Sequence, residues 1–150
     1  MNIQEEITPA SRSTIHINTH SVTHSYVTRG TILVVEDDRA LRRYLEVILE
    51  RHGYRVVAAA DGLEAMKAAL TDEIDVVVTD AIMPHLSGLE LCRFLRHHPK
   101  LSRLPVVLLS GFDSAKAAHE TNDRPDVYIA KPVRPDELVN CLARLLLKAA

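Results

Sequence analysis

The sequence predicts an α/β protein, a doubly wound parallel sheet of five strands with helices on both faces. Three observations lead there. Five short apolar runs, Ile32–Val35, Val56–Ala60, Ile74–Val78, Val106–Leu109 and Val127–Ala130, alternate with helix-patterned segments. The run Ile74–Val78 is too uniformly apolar for a one-sided sheet and suits burial on both faces. Four of the runs lead into polar residues of related chemistry: Glu36-Asp37-Asp38, Asp80, Ser110 and Lys131. Parallel strands gather such residues at one carboxyl edge, where open α/β sheets bind ligands.

Each helix carries its own signals. Leu41, Tyr44, Leu45, Ile48 and Leu49 share one face, Arg42, Arg43, Glu46 and Glu50 the other, and Gly53 stops the helix as a C′ residue. Asp61 opens the second helix, with Glu64 completing a capping-box-like pair. Ser87 and Glu90 open the third, which packs through Leu91, Phe94 and Leu95 and stops at Pro99. A fourth helix between Ser114 and Asn122 has only alanines as apolar residues and should be loosely held. The last begins near Pro135 and buries Leu138, Cys141, Leu142, Leu145 and Leu146.

The chain divides near Gly30. Residues 1–29 form a polar tail without periodicity, and 30–150 form one domain. His16, His20 and His24 would line one face of a helix as metal ligands, but their Ser, Thr and β-branched neighbours disfavour a helix. Within 150 residues, 47% are hydrophobic and only 4% aromatic, so the core is aliphatic. A net charge of −2 gives no bulk attraction to nucleic acid or anionic lipid. There is no bilayer-length apolar stretch and no signal-peptide pattern, and the two cysteines read as free thiols. A soluble cytoplasmic protein is expected.

At the predicted edge, Glu36, Asp37 and Asp80 would repel one another unless a cation intervened. A hard divalent ion with oxygen ligands, Mg²⁺ above all, suits them. Asp38 is the expected helix cap, which leaves Glu36 and Asp37 without a structural need to be acidic. Asp80 follows a buried strand, and an ionised carboxylate there needs a partner, which Lys131 could supply as a plain salt bridge. An aspartate beside Mg²⁺ can also act as nucleophile toward phosphorus, with Lys131 and the Ser110 hydroxyl neutralising the phosphoryl oxygens.

VVEDD at 34–38, VVTDAIMP at 77–84, Gly88, PVVLLSG at 105–111 and YIAKPV at 128–133 together resemble the receiver domain of bacterial response regulators. The resemblance covers Thr31 to about Lys148 in order and spacing. It implies a flavodoxin-like (βα)5 fold with strand order 2-1-3-4-5. It implies that Asp80 accepts a phosphoryl group from a histidine kinase or phosphotransfer protein. Asp37 and Asp80 would ligate Mg²⁺ directly, Glu36 through water, and Ile82 through its backbone carbonyl. Lys131 would pair with the phosphate across a Lys131–Pro132 bond that is cis in the family. Ser110 would swing toward the phosphoryl oxygen and Tyr128 turn inward, a two-state switch. Tyr128 could equally be a strand aromatic packed at the sheet edge.

The sequence departs from the family where NDRPDVYIAKP lacks the Gly-Ala pair common before the last strand. The fourth helix, last strand and last helix form the family's output and homodimer surface, so neither partner nor dimer mode carries over. Ile82 and Phe112, two residues beyond Asp80 and Ser110, offer nothing to orient an attacking water, and slow self-dephosphorylation is expected. The chain reads as a stand-alone receiver that is not an enzyme, contacts no nucleic acid or membrane, and signals to an unknown downstream protein. Two other readings are a Mg²⁺-dependent aspartyl-phosphate phosphohydrolase and a receiver-like binding module that is never phosphorylated. The hydrolase chemistry wants a second aspartate at position 82, which is isoleucine.

Overall fold

β1 (Thr31–Val35) lies inside a five-stranded, all-parallel sheet of order β2-β1-β3-β4-β5. The others are β2 (Arg55–Ala59), β3 (Val76–Asp80), β4 (Val106–Ser110) and β5 (Val127–Ala130). The computed structural model describes residues 27–111 and 123–149. The histidines of the N-terminal tail, the expected fourth helix and Phe112 lie outside the described residues.

β1, β3 and β4 are buried along their whole length, whereas β2 and β5 are only partly covered. Side chains alternate between the two faces of a strand, and the core divides accordingly. Ile32, Val34, Val76 and Val78 pack under Leu45 and Leu49 of α1 (Arg39–Arg51) and Leu138 and Leu142 of α4 (Pro135–Ala149). Leu33, Val35 and Val77 meet Ala65 and Ala69 of α2 (Gly62–Thr71) and Leu91 and Leu95 of α3 (Gly88–His97) on the other face. Each fully buried leucine contributes about 2 kcal/mol of apolar transfer, which fixes both helix layers to the sheet.

The caps act as the residue types dictate. The Asp38 carboxylate accepts from Ala40 N and Leu41 N, and Gly53, at φ 88, follows the α1 C-cap. Ser87 and Glu90 form a reciprocal capping box on α3. Asp61 caps α2, but the Glu64 carboxylate accepts from Ala60 N rather than from the cap itself.

Three expectations need correction. β3 runs two residues later than the apolar run, because pairing continues through Asp80 opposite Leu109 while Asp75 turns back to bond Thr31. β2 begins one residue earlier, with Arg55 opposite Thr31. On α1, Tyr44 is 46% exposed, and Arg42 is half-buried instead of facing solvent, its guanidinium reaching back over the end of β1. Cys92 and Cys141 are free thiols. Before β5, where the Gly-Ala pair is missing, Asp126 Oδ2 accepts from Arg96 Nη2 at 2.7 Å and Val106 N at 2.8 Å, with Pro125 buried beside it.

Candidate functional site

Glu36 leaves β1 with its N–H bonded to Ala59 O at 3.1 Å, so its side chain drops into the carboxyl edge rather than into water. It is 1% exposed. One carboxylate oxygen, Oε1, accepts from Asp38 N at 3.1 Å; the other, Oε2, is buried without a hydrogen-bond partner among the described residues. Asp80, the last residue of β3, is also buried, and its Oδ1 accepts weakly from Ile82 N at 3.4 Å. Asp37 is exposed at the mouth. Ligand oxygens of Glu36, Asp37 and Asp80 all lie within 4.8 Å of one another.

Lys131 follows β5 and reaches across the edge. Its Nζ lies 2.9 Å from Asp80 Oδ2 and 3.6 Å from Glu36 Oε2, the second too long to count as a hydrogen bond. The Lys131–Pro132 bond is cis. Burial works against the Lys131 charge, but the hydrogen bond to Asp80 and the charges of Asp80 and Glu36 outweigh it and raise its pKa. Glu36 is pushed up to about 7, first by burial and then by the Asp80 charge, against the opposing pull of the Asp38 N–H and Lys131.

Among the described residues, one ammonium faces three carboxylates, which leaves the pocket short of positive charge. A buried carboxylate oxygen with no donor, facing two further carboxylates, is the donor set of a hard divalent cation. The residues present fit such an ion.

Ser110 ends β4, buried, with its carbonyl held by Lys131 N at 2.9 Å. Tyr128 pairs with Leu108 on the edge strand, half-buried, and burial raises its phenol pKa. It borders a cleft of about 250 Å³ formed with Ile129, Cys141, Arg144 and Leu145. Ile82 is 73% exposed beside Asp80. The edge therefore assembles Glu36, Asp37, Asp80 and Lys131, places Ser110 one strand away and leaves Tyr128 at the sheet margin.

Two residues at the site went unassigned in the sequence. Arg42 Nη1 donates to Glu36 O at 2.7 Å. Its position one turn into the helix after the acidic run was the available signal, but periodicity placed it on the solvent side. Gly88 stood in the sequence only as one of the motif residues, with no role given; a Cβ there would stand 2.1 Å from Asp80 O, so α3 starts against the backbone of the pocket aspartate itself.

Fold and pocket define a class: a doubly wound α/β module with a carboxylate cluster and a facing lysine at its carboxyl edge. The chain belongs to the response regulator receiver domain family, whose model matches residues 32–143. It is similar to the response regulator MprA of Mycobacterium ulcerans (strain Agy99), 40% identical over 116 residues, covering 77% of this chain and 49% of that protein. It is also similar to the transcriptional regulatory protein GltR of Pseudomonas aeruginosa PAO1, 32% identical over 120 residues, covering 79% of this chain and 50% of that protein. The chain thus spans about half the length of the curated relatives it matches.

Among solved structures, the receiver domain of a signal transduction histidine kinase from Syntrophus aciditrophicus aligns with a TM-score of 0.73 at 32% identity, over 79% of this chain and 91% of that one. The receiver domain of the sensor histidine kinase PA1611 from P. aeruginosa PAO1, with a magnesium ion coordinated in its active site cleft, aligns at 0.71 and 29% identity, over 78% of this chain and 97% of that one. Among the described residues no helix is long and apolar enough to cross a membrane.

Proposed function

We propose that this chain is a phosphorylation-activated switch in which Asp80 takes a phosphoryl group from a histidine kinase or phosphotransfer protein in the cytoplasm. Residues 30–150 carry the exchange and 1–29 are a polar tail. One observation supports this above the rest. Asp80 is buried with its Oδ2 on the Lys131 ammonium and its neighbours Glu36 and Asp37 close enough to share an ion with it.

An Asp80 oxygen attacks phosphorus, the new O–P bond forming as the donor's P–N bond breaks and the donor imidazole recovers a proton. Lys131, paired with Asp80 in the resting pocket, moves its charge onto an incoming phosphoryl oxygen. Ser110 donates its hydroxyl to a second oxygen, and Tyr128 closes toward the space it leaves. Asp37, Asp80 and the Ile82 carbonyl would hold Mg²⁺, with Glu36 acting through water. When bound, that ion neutralises the carboxylates and the charge on the transferring group. Ile82 presents an alkyl side chain where a polar one could orient water, so the acyl phosphate is long-lived. Output passes through the Ser110/Tyr128 face to a protein partner or a second copy.

The test uses small phosphodonors. Acetyl phosphate with Mg²⁺ should place one phosphoryl group per chain, removable by hydroxylamine, and Asp80→Asn should accept none. Multiple turnover on free phosphomonoesters would make the chain a hydrolase instead. Neither labelling nor beryllofluoride binding would leave an unphosphorylated binding module.

A further inference from the structure

The turn that carries Glu36 and Asp37 is held at both ends by one residue of α1. Arg42 donates its backbone N–H to Asp38 O at 2.9 Å and its guanidinium Nη1 to Glu36 O at 2.7 Å. The second bond is partly buried and charge-assisted, which makes it shorter and stronger than a neutral contact. Its acceptor is the carbonyl of the peptide plane shared by Glu36 and Asp37. That plane is rigid, so anchoring its oxygen restrains both flanking Cα atoms together, and with them the turn from which the two side chains project. The other bonds on the turn act elsewhere: Glu36 N on Ala59 O, and Asp38 N on Glu36 Oε1. Among the described residues, Arg42 makes the only side-chain hydrogen bond to that carbonyl.

We propose that Arg42 is a positioning residue for cation capture, its guanidinium holding the Glu36–Asp37 peptide so that both carboxylates face Asp80. This rests on the reading of the pocket as a divalent-cation and phosphoryl site. The guanidinium also adds a positive charge near the pocket, which by itself would weaken cation binding. The geometric effect outweighs it, because one partly solvated charge is screened at physiological salt, whereas a loosened turn moves two ligands together. Arg43 is the matched control. It lies next on the same helix, carries the same charge, and pairs with Glu46 at 2.9 Å on the surface.

The experiment titrates Mg²⁺ by calorimetry into the full chain and its Arg42→Gln, Arg42→Lys and Arg43→Gln variants. Urea denaturation in EDTA is run beside it. Arg42→Gln should weaken Mg²⁺ binding about ten-fold, the scale seen when a residue orienting a metal ligand is removed. Arg42→Lys, which keeps one donor, should recover part of that loss. Arg43→Gln should stay within about two-fold of wild type. Labelling of Arg42→Gln by acetyl phosphate should be slow at limiting Mg²⁺ and return toward wild type at saturation, a split that a general loss of structure does not give.

Equal affinities for Arg42→Gln and Arg43→Gln, or a labelling defect that persists at saturating Mg²⁺, would overturn the proposal. Should Arg42→Gln not fold, Arg42→Lys decides it by the same titration, with wild-type affinity as the contrary result. A wild-type chain that binds no Mg²⁺ removes the reading of the pocket; a wild-type chain that binds while Arg42→Gln is indifferent removes only the role of Arg42.

Discussion

Gly88 joins the third helix to the carbonyl of the pocket aspartate, and the contact leaves no room for a methyl group. A Cβ there would sit 2.1 Å from Asp80 O and 2.9 Å from Leu108 Cδ1, and the first of these is backbone that cannot rotate away. Gly88→Ala must push α3 off the end of β3, at a cost of about 2–3 kcal/mol by the overpacking scale. It should weaken Mg²⁺ binding as well, because Asp80 moves with its carbonyl. Gly111→Ala is the comparison, since a Cβ there meets nothing within 4 Å among the described residues. Its stability should change by less than about 0.5 kcal/mol in the same urea titration. Residues of this kind differ in how readable they are. Glu36, Asp80 and Lys131 announced themselves because each follows an apolar run and has no reason to be charged there. Arg42 did not, because helical periodicity records where Cβ points and not where a long side chain ends.

At the scale of elements, strands and caps were largely legible and boundaries were not. The apolar run that signals β3 starts at Ile74, but hydrogen bonding to β1 and β4 decides the strand, and that ladder ends at Asp80. The tie between α3 and β5 was invisible for a related reason. Arg96 and Asp126 are 30 residues apart and meet only because β4 and β5 are neighbours. The α3 capping box was readable from four residues and carries a pH signature. Two hydrogen bonds from Ser87, the backbone one first, hold the Glu90 carboxyl below its ordinary value of 4.5. A carboxyl depressed in the folded state stabilises the fold above the unfolded pKa, and that contribution disappears as pH falls through the lower, folded value. Wild type should therefore lose stability more steeply than Glu90→Gln as pH is lowered from about 4.5. Urea midpoints across that range measure the difference, and parallel curves would show that the cap bond does not depend on the Glu90 charge.

The molecule as a whole places its pocket at one edge of a sheet whose two faces are separately packed, so a ligand at that edge should brace both layers. Cys92 offers a way to see it. The thiol is fully buried between α3 and the sheet, and its pKa is pushed up to about 11, chiefly by burial, with Arg96 opposing. The thiolate is the form that attacks a disulfide reagent, displacing the reagent's other thiolate, so Cys92 should react only when α3 leaves the sheet. In a Cys141→Ser background, which removes the half-buried second thiol, the rate should fall about a thousand-fold or more below that of the urea-unfolded chain. If the pocket is the proposed cation and phosphoryl site, beryllofluoride with Mg²⁺ binds the folded chain alone, and at a hundred times its dissociation constant it should slow the reaction about a further hundred-fold. The alkaline limb follows from the same thiol. Its folded pKa lies above the unfolded 9.0, so the stability tied to the neutral form is complete below pH 9 and is lost as pH rises through about 11. Protection should weaken across that window. A rate indifferent to beryllofluoride would mean that α3 opens by itself, with the pocket intact, and the two layers would then be mechanically separate despite sharing one sheet.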